Sequence, residues 1–204
     1  MYKINKTYEN TIIINKSEFI THLYRVNSVD EVNDILAATR KKYYDATHNC
    51  YAYILGDNAE IQKASDDGEP QKTAGMPMLD VLKKNNVTNI LAITTRYFGG
   101  ILLGAGGLVR AYSSSVSECL KNVEYYDAKE GMKLQISLNY SEYNSFIKLP
   151  YVKIIDQLFT EDVNLIFMID TNKYDELIKD LQNKKIELNI KNLGTEMIEY
   201  KVEM

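Results

Sequence analysis

Five of the ten glycines in this 204-residue chain fall between positions 99 and 107: Gly99, Gly100, Gly104, Gly106 and Gly107. Arg96 and Arg110 flank them, and the chain has only two other arginines, Arg25 and Arg40. Glycine bends freely and lets another molecule approach the backbone. Bare N–H groups at a helix start, beside fixed positive charge, favour an anion. The spacing is neither that of a P-loop, which ends in Gly-Lys-Ser/Thr, nor that of the Gly-x-Gly-x-x-Gly dinucleotide fingerprint. Two readings remain: a tight strand-to-helix turn packed on another backbone, or a contact for phosphate. Arg110 lies one turn after Gly107, where it repels the helix dipole unless an anion or an acid joins it. That favours the phosphate contact.

Three other groups of residues could do chemistry. Asp66, Asp67 and Glu69 precede Pro70. Paired carboxylates hold Mg²⁺ or act as acid and base, but such a cluster more often caps a turn and pairs with an arginine. His48 and Cys50 share one face of an extended segment. No Cys-x-x-Cys or second His–Cys pair completes four zinc ligands, so a buried thiol beside a hydrogen-bonded histidine is expected. Tyr53, Tyr97 and Phe98 offer stacking surfaces for single-stranded nucleic acid and serve strands and cores equally well. Ser113, Ser114 and Ser115 lack the Gly-x-Ser-x-Gly elbow of a serine nucleophile.

The elements that must position these residues follow from periodicity. Residues 10–15 and 18–25 read as strands around Asn15-Lys16-Ser17. Ser28 and Glu31 form a capping box, and Val29, Val32, Ile35 and Leu36 mark a helix to about Lys41. Residues 49–55 and 90–95 read as buried strands, and Pro77 suits the first turn of a short helix. From Gly106 to Lys121 a helix carries Leu108, Val109, Tyr112, Val116, Cys119 and Leu120 on one face. Glu124–Gly131 reads as a linker or edge strand. Beyond it come a strand at 132–140, a helix at 141–149, strands at 152–160 and 162–170, a helix around Tyr174–Leu181, and strands at 186–192 and 195–203. That order is β-α-β-β-α-β.

Composition narrows the class. Net charge is −4, split as −1 over residues 1–128 and −3 over 129–204, which weighs against bulk, sequence-blind duplex binding. No run approaches the roughly 18 apolar residues of a membrane span. The first six residues lack the apolar core of a signal peptide. Two cysteines make no disulfide framework, so a reducing cytoplasm is the expected compartment.

Taken in order, four segments resemble the IMPACT/YigZ family over roughly residues 15–125. They are His48-x-Cys50-x-Ala52-Tyr53, Ser65-Asp66-Asp67-Gly68-Glu69-Pro70, Thr73-Ala74-Gly75-x-Pro77, and Thr95-Arg96-Tyr97-Phe98-Gly99-Gly100 through Gly107-Leu108-x-Arg110-Ala111-Tyr112. The second half resembles the small C-terminal domain of bacterial members. One departure lies at Gln71 and Lys72, where the family usually has a small residue and a glycine.

The resemblance implies an α+β chain of two domains: residues 1–128 similar to the second domain of ribosomal protein S5, and residues 129–204 a ferredoxin-like βαββαβ domain. Eukaryotic relatives are linked to control of translation. The expectation is a cytosolic, non-enzymatic binding protein without cofactor, contacting RNA or a ribosome-associated partner. Arg96, Arg110, Gly99, Gly100, Gly106, Gly107, Lys72, Tyr97 and Tyr53 would form the anion or nucleic-acid contact. Asp66, Asp67, Glu69 and His48 would be structural or metal-binding. The alternatives are a Mg²⁺-dependent enzyme acting on a phosphorylated substrate through Asp66, Asp67 and Glu69, and a protein–protein module.

Overall fold

Alternating apolar residues and two well-placed turns build the first half of the chain. In the computed structural model, which describes residues 1–202, the protein divides into two units. One is Met1–Asp127 with the terminal residues from Lys201, and the other is Ala128–Tyr200. The first unit begins with β1 (Lys3–Ile4), β2 (Tyr8–Ile14), β3 (Ser17–Arg25) and α1 (Val29–Lys42). Asn15 and Lys16 both have positive φ, 47° and 66°. They form a two-residue turn that sets Ile14 opposite Ser17, as hairpins of this twist require. Ser28 Oγ accepts the Glu31 N–H at 3.2 Å, and the Glu31 carboxylate accepts the Asn27 N–H at 2.8 Å. The expected cap at the start of α1 is therefore present.

β4 (His48–Leu55), β5 (Ile61–Ser65), α2 (Gly75–Lys84), β6 (Ile90–Tyr97) and α3 (Gly104–Leu120) complete this unit. The sheet order is β2-β3-β6-β4-β5, antiparallel throughout. Successive residues of β4 point to opposite faces. Cys50, Ala52 and Ile54 join the core with α2 and α3, while Tyr51, Tyr53 and Leu55 join Val32 and Leu36 of α1. Helices thus cover both faces, and each fully buried Ile or Leu contributes about 1.5–3 kcal/mol. Periodicity did not reveal β5, because Ile61, Gln62 and Lys63 are all exposed.

The second half adds β7 (Tyr125–Leu138), α4 (Tyr140–Phe146), β8 (Lys153–Phe159), β9 (Val163–Asp170), α5 (Tyr174–Asn183) and β10 (Ile190–Val202). Within the first unit, Tyr125 and Tyr126 of β7 pair with β1. Within the second, β7 and β8 flank β9 in antiparallel pairs, and β10 pairs with β7. Leu134, Ile136, Phe146, Phe167, Leu177 and Leu181 form its core. Of the two readings of 124–131, linker or edge strand, a strand is present from Tyr125, and it runs on unbroken to Leu138. One expectation changes here. The two closing strands are one, beginning at Ile190, with Gly194 inside it at φ +115°, a backbone conformation that glycine accommodates. The expected end of the last strand, residue 203, lies outside the described residues.

Candidate functional site

Strand pairing brings the distant motifs together. His48 on β4 lies opposite Arg96 on β6, and the 66–74 loop supplies three carboxylates that each serve a different end. Asp66 Oδ1 accepts the N–H groups of Ala74 and Gly75 at 3.0 and 2.9 Å, and its Oδ2 accepts that of Lys72 at 2.8 Å. It caps the start of α2, where Ala74 has no side chain to do so. Asp67 Oδ2 accepts the Asn49 N–H at 2.8 Å, and Oδ1 pairs with Arg40 at 3.2 Å. Glu69 Oε1 accepts from Arg96 Nη1 at 2.7 Å and from the Tyr112 hydroxyl at 2.8 Å. The cluster caps and pairs rather than converging: among the described residues no group of three or more His, Cys, Asp or Glu is placed to hold a metal ion.

This geometry corrects the role expected of Arg96. Its side chain does not project to meet a phosphate: the residue is 5% exposed and is neutralised by Glu69. It lies over the Phe19 and Phe98 rings at 5.4 and 5.6 Å, and only its Nε lacks a partner. Tyr53, expected to stack on a base, is also corrected. It is 4% exposed because the parity of β4 turns it into the core under α1, where it stacks with Tyr51. Gly99 is a packing residue, since a Cβ there would lie 2.0 Å from the Lys16 carbonyl carbon. Gly107 is half-buried, with its Cβ position 3.0 Å from that of Leu103. Tyr97 is half-buried and donates its hydroxyl to Asp45 at 2.9 Å.

The remaining expected residues face solvent. Gly100, Gly106, Arg110 and Lys72 are exposed. Arg110 has no hydrogen-bond or ion-pair partner among the described residues. A Cβ on Gly106 would sit 3.7 Å from its Nη1, so the guanidinium reaches back over the first turn of α3. No side chain caps that turn, and no acid lies within it. Its free N–H groups therefore present the positive end of a 17-residue helix. Beside α3 runs a groove of about 820 Å³ lined by Lys72, Lys83, Lys84, Val109 and Ser113, with Asp80 its one acid. Sequence reading missed Lys83 and Lys84. The exposed end of α2 was the available signal, but only packing places it beside α3.

A second hollow opens at the start of α3. It has a volume of about 360 Å³ and is lined by His48, Glu69, Pro70, Arg96, Phe98, Leu102, Leu103 and the start of α3. Leu102 is 87% exposed at its edge. His48 Nδ1 lies 2.8 Å from the Asp67 carbonyl oxygen. A carbonyl only accepts, so Nδ1 carries the proton and, in the neutral ring, Nε2 is a bare acceptor. That Nε2 stands 3.8 Å from Glu69 Oε2.

The thiol beside them is inert. Burial pushes Cys50 far above the ordinary thiol range, and its Sγ lies 2.9 Å from the Asp66 carbonyl oxygen. A protonated thiol is a poor nucleophile, which agrees with the buried-thiol reading. The arrangement thus offers recognition: an uncapped helix end, a basic groove and a hollow with apolar walls and polar groups at its base.

The sequence pattern of the Impact N-terminal domain matches residues 15–120. The IMPACT family member YvyE of Bacillus subtilis (strain 168) is 38% identical over 193 residues, 92% of this chain and 89% of that protein. The IMPACT family member YigZ of Escherichia coli (strain K12) is 43% identical over 112 residues, 54% of this chain and 55% of its own length. A solved structure described as that of a hypothetical protein is 31% identical. It covers 96% of this chain and 97% of its own, with a TM-score of 0.59.

Proposed function

This chain belongs to the IMPACT family, and from that premise we propose that it is a non-enzymatic cytoplasmic protein of translation control that binds single-stranded RNA. The family resemblance supplies the link to translation. The order β10-β7-β9-β8 in the second unit, with its β-α-β-β-α-β chain order, supports a ferredoxin-like reading of that unit. The first unit is read, through the motifs it shares with the family, as similar to the second domain of ribosomal protein S5.

One observation carries the RNA reading. The Arg110 side chain, without a partner among the described residues, follows Val109, which lines a groove with three lysines, Lys72, Lys83 and Lys84, on a chain whose net charge is −4. A basic groove that tracks a backbone, with an exposed aromatic nearby, is how single strands are held. Phe98, exposed and lining the hollow at the start of α3, is the aromatic this reading uses. The acids that could have served catalysis are engaged in caps and ion pairs, which favours binding over chemistry.

The test is salt dependence. Single-stranded binding weakens with salt by a slope of about 0.7 per neutralised phosphate. The triple variant Lys83→Ala/Lys84→Ala/Arg110→Ala, measured by anisotropy with a labelled RNA 12-mer, is expected to flatten the log–log slope by about 2. All three side chains are exposed, so the fold is retained. An unchanged slope and affinity would overturn the reading.

A further inference from the structure

We propose that the hollow beside α3 receives one unstacked nucleobase bearing an exocyclic amino group, as in adenine or cytosine; this rests on the RNA reading and names what that site selects. At about 360 Å³ the hollow is of ligand-pocket size. Its walls are apolar, from Pro70, Phe98, Leu102 and Leu103. Phe98 is 46% exposed, so part of its ring is free to stack on a planar group. Bases splayed from single strands stack on such rings and are read along their edges.

The polar residues of the hollow fix which edge fits. His48 Nδ1 donates to a carbonyl, which in the neutral ring leaves Nε2 an acceptor. Glu69 Oε1 takes both bonds from Arg96 and Tyr112, which leaves Oε2 as the oxygen nearest His48, 3.8 Å from Nε2. With the His48 ring neutral, two acceptors at that separation are reconciled by a donor with two hydrogens between them, a role a water fills when the hollow is empty. An exocyclic amino group is such a donor. Uracil offers a single N–H flanked by carbonyl oxygens, so satisfying one acceptor turns a like group toward the other. A full ammonium fits worse, because Arg96 already places a buried positive charge on Glu69. Arg96 also borders the hollow and keeps Nε as a buried donor without a partner. The ring nitrogen beside the amino group in adenine and cytosine is the matching acceptor. At the rim, the uncapped start of α3 takes the attached phosphate.

The experiment titrates the intact chain with AMP, CMP and UMP, followed by ¹H–¹⁵N NMR. AMP and CMP are expected to bind about tenfold more tightly than UMP, as edge hydrogen bonds discriminate bases, and to shift the amides of Phe98, Gly104 and Ala105. Phe98→Ala is expected to weaken AMP about tenfold while leaving the salt slope for RNA unchanged. Equal affinity for UMP, or shifts located elsewhere, overturns the proposal. If the mononucleotides fail but the RNA 12-mer still binds through Lys83, Lys84 and Arg110, the base pocket is wrong and the RNA reading stands. If AMP binds selectively and the 12-mer does not, the RNA reading is wrong and the pocket remains as a nucleotide site. If neither binds, both fall.

Discussion

Glu69→Ala is expected to lower unfolding stability by about 3–5 kcal/mol, the cost of breaking a buried ion pair from one side. The Glu69 side chain is 3% exposed and anchors two groups at once, Arg96 at 2.7 Å and the Tyr112 hydroxyl at 2.8 Å. Its loss strands a guanidinium that Phe19 and Phe98 shield from water, together with a buried phenol. The penalty comes from the unpaired charge, not from the pair's intrinsic worth. The double variant Glu69→Leu/Arg96→Met is therefore expected to recover most of the loss, since removing both charges spares the desolvation. Urea denaturation of the two variants decides it. A single-variant loss below about 1 kcal/mol would show that water reaches the pair. The same double variant separates architecture from binding: with Arg96 gone, the charge-dependent part of RNA affinity is expected to persist, because Arg110 and the lysines carry it.

The glycines divide just as sharply. Gly99→Ala is expected to cost at least about 3 kcal/mol, the upper range of overpacking. Its Cβ would lie 2.0 Å from the Lys16 carbonyl carbon and 2.4 Å from the Ser17 nitrogen. Both are backbone atoms in a hairpin turn that has little room to yield. Gly100→Ala meets nothing within 4 Å but sits at φ +82°, so it pays only the left-handed penalty of about 1–2 kcal/mol. Gly106→Ala, inside a helix and with only the Arg110 guanidinium near its Cβ, should be neutral or stabilise by up to about 1 kcal/mol. Thermal unfolding of the three variants should give that order. A Gly99→Ala protein as stable as Gly106→Ala would mean that β6 and the β2–β3 turn do not pack as described.

Much of this was legible in the sequence because it is local. The hairpin at Asn15-Lys16, the cap at Ser28 and the apolar face of α3 depend on neighbours a few residues away, and each lies where spacing placed it. The capping and pairing role of the acids was also readable, though not which acid takes which partner. What failed depends on long-range pairing. Arg96 finds its carboxylate 27 residues away, and no local pattern says that a loop will fold over it. Tyr53 belongs to a strand apolar on both faces, so alternation could not tell a buried tyrosine from an exposed one. Lys72 is a mixed case. The departure from the family's glycine was visible, and Lys72 adopts φ +63°, the region glycine favours. Its backbone N–H still reaches Asp66, which keeps the turn while its side chain adds charge to the groove.

Chemical-shift mapping of the intact chain with a single-stranded RNA 12-mer tests the central claim most directly. Perturbations concentrated at Lys72, Lys83, Lys84 and the Gly104–Arg110 turn of α3 are predicted. A map confined to Ala128–Tyr200, or no perturbation at millimolar RNA, would contradict it.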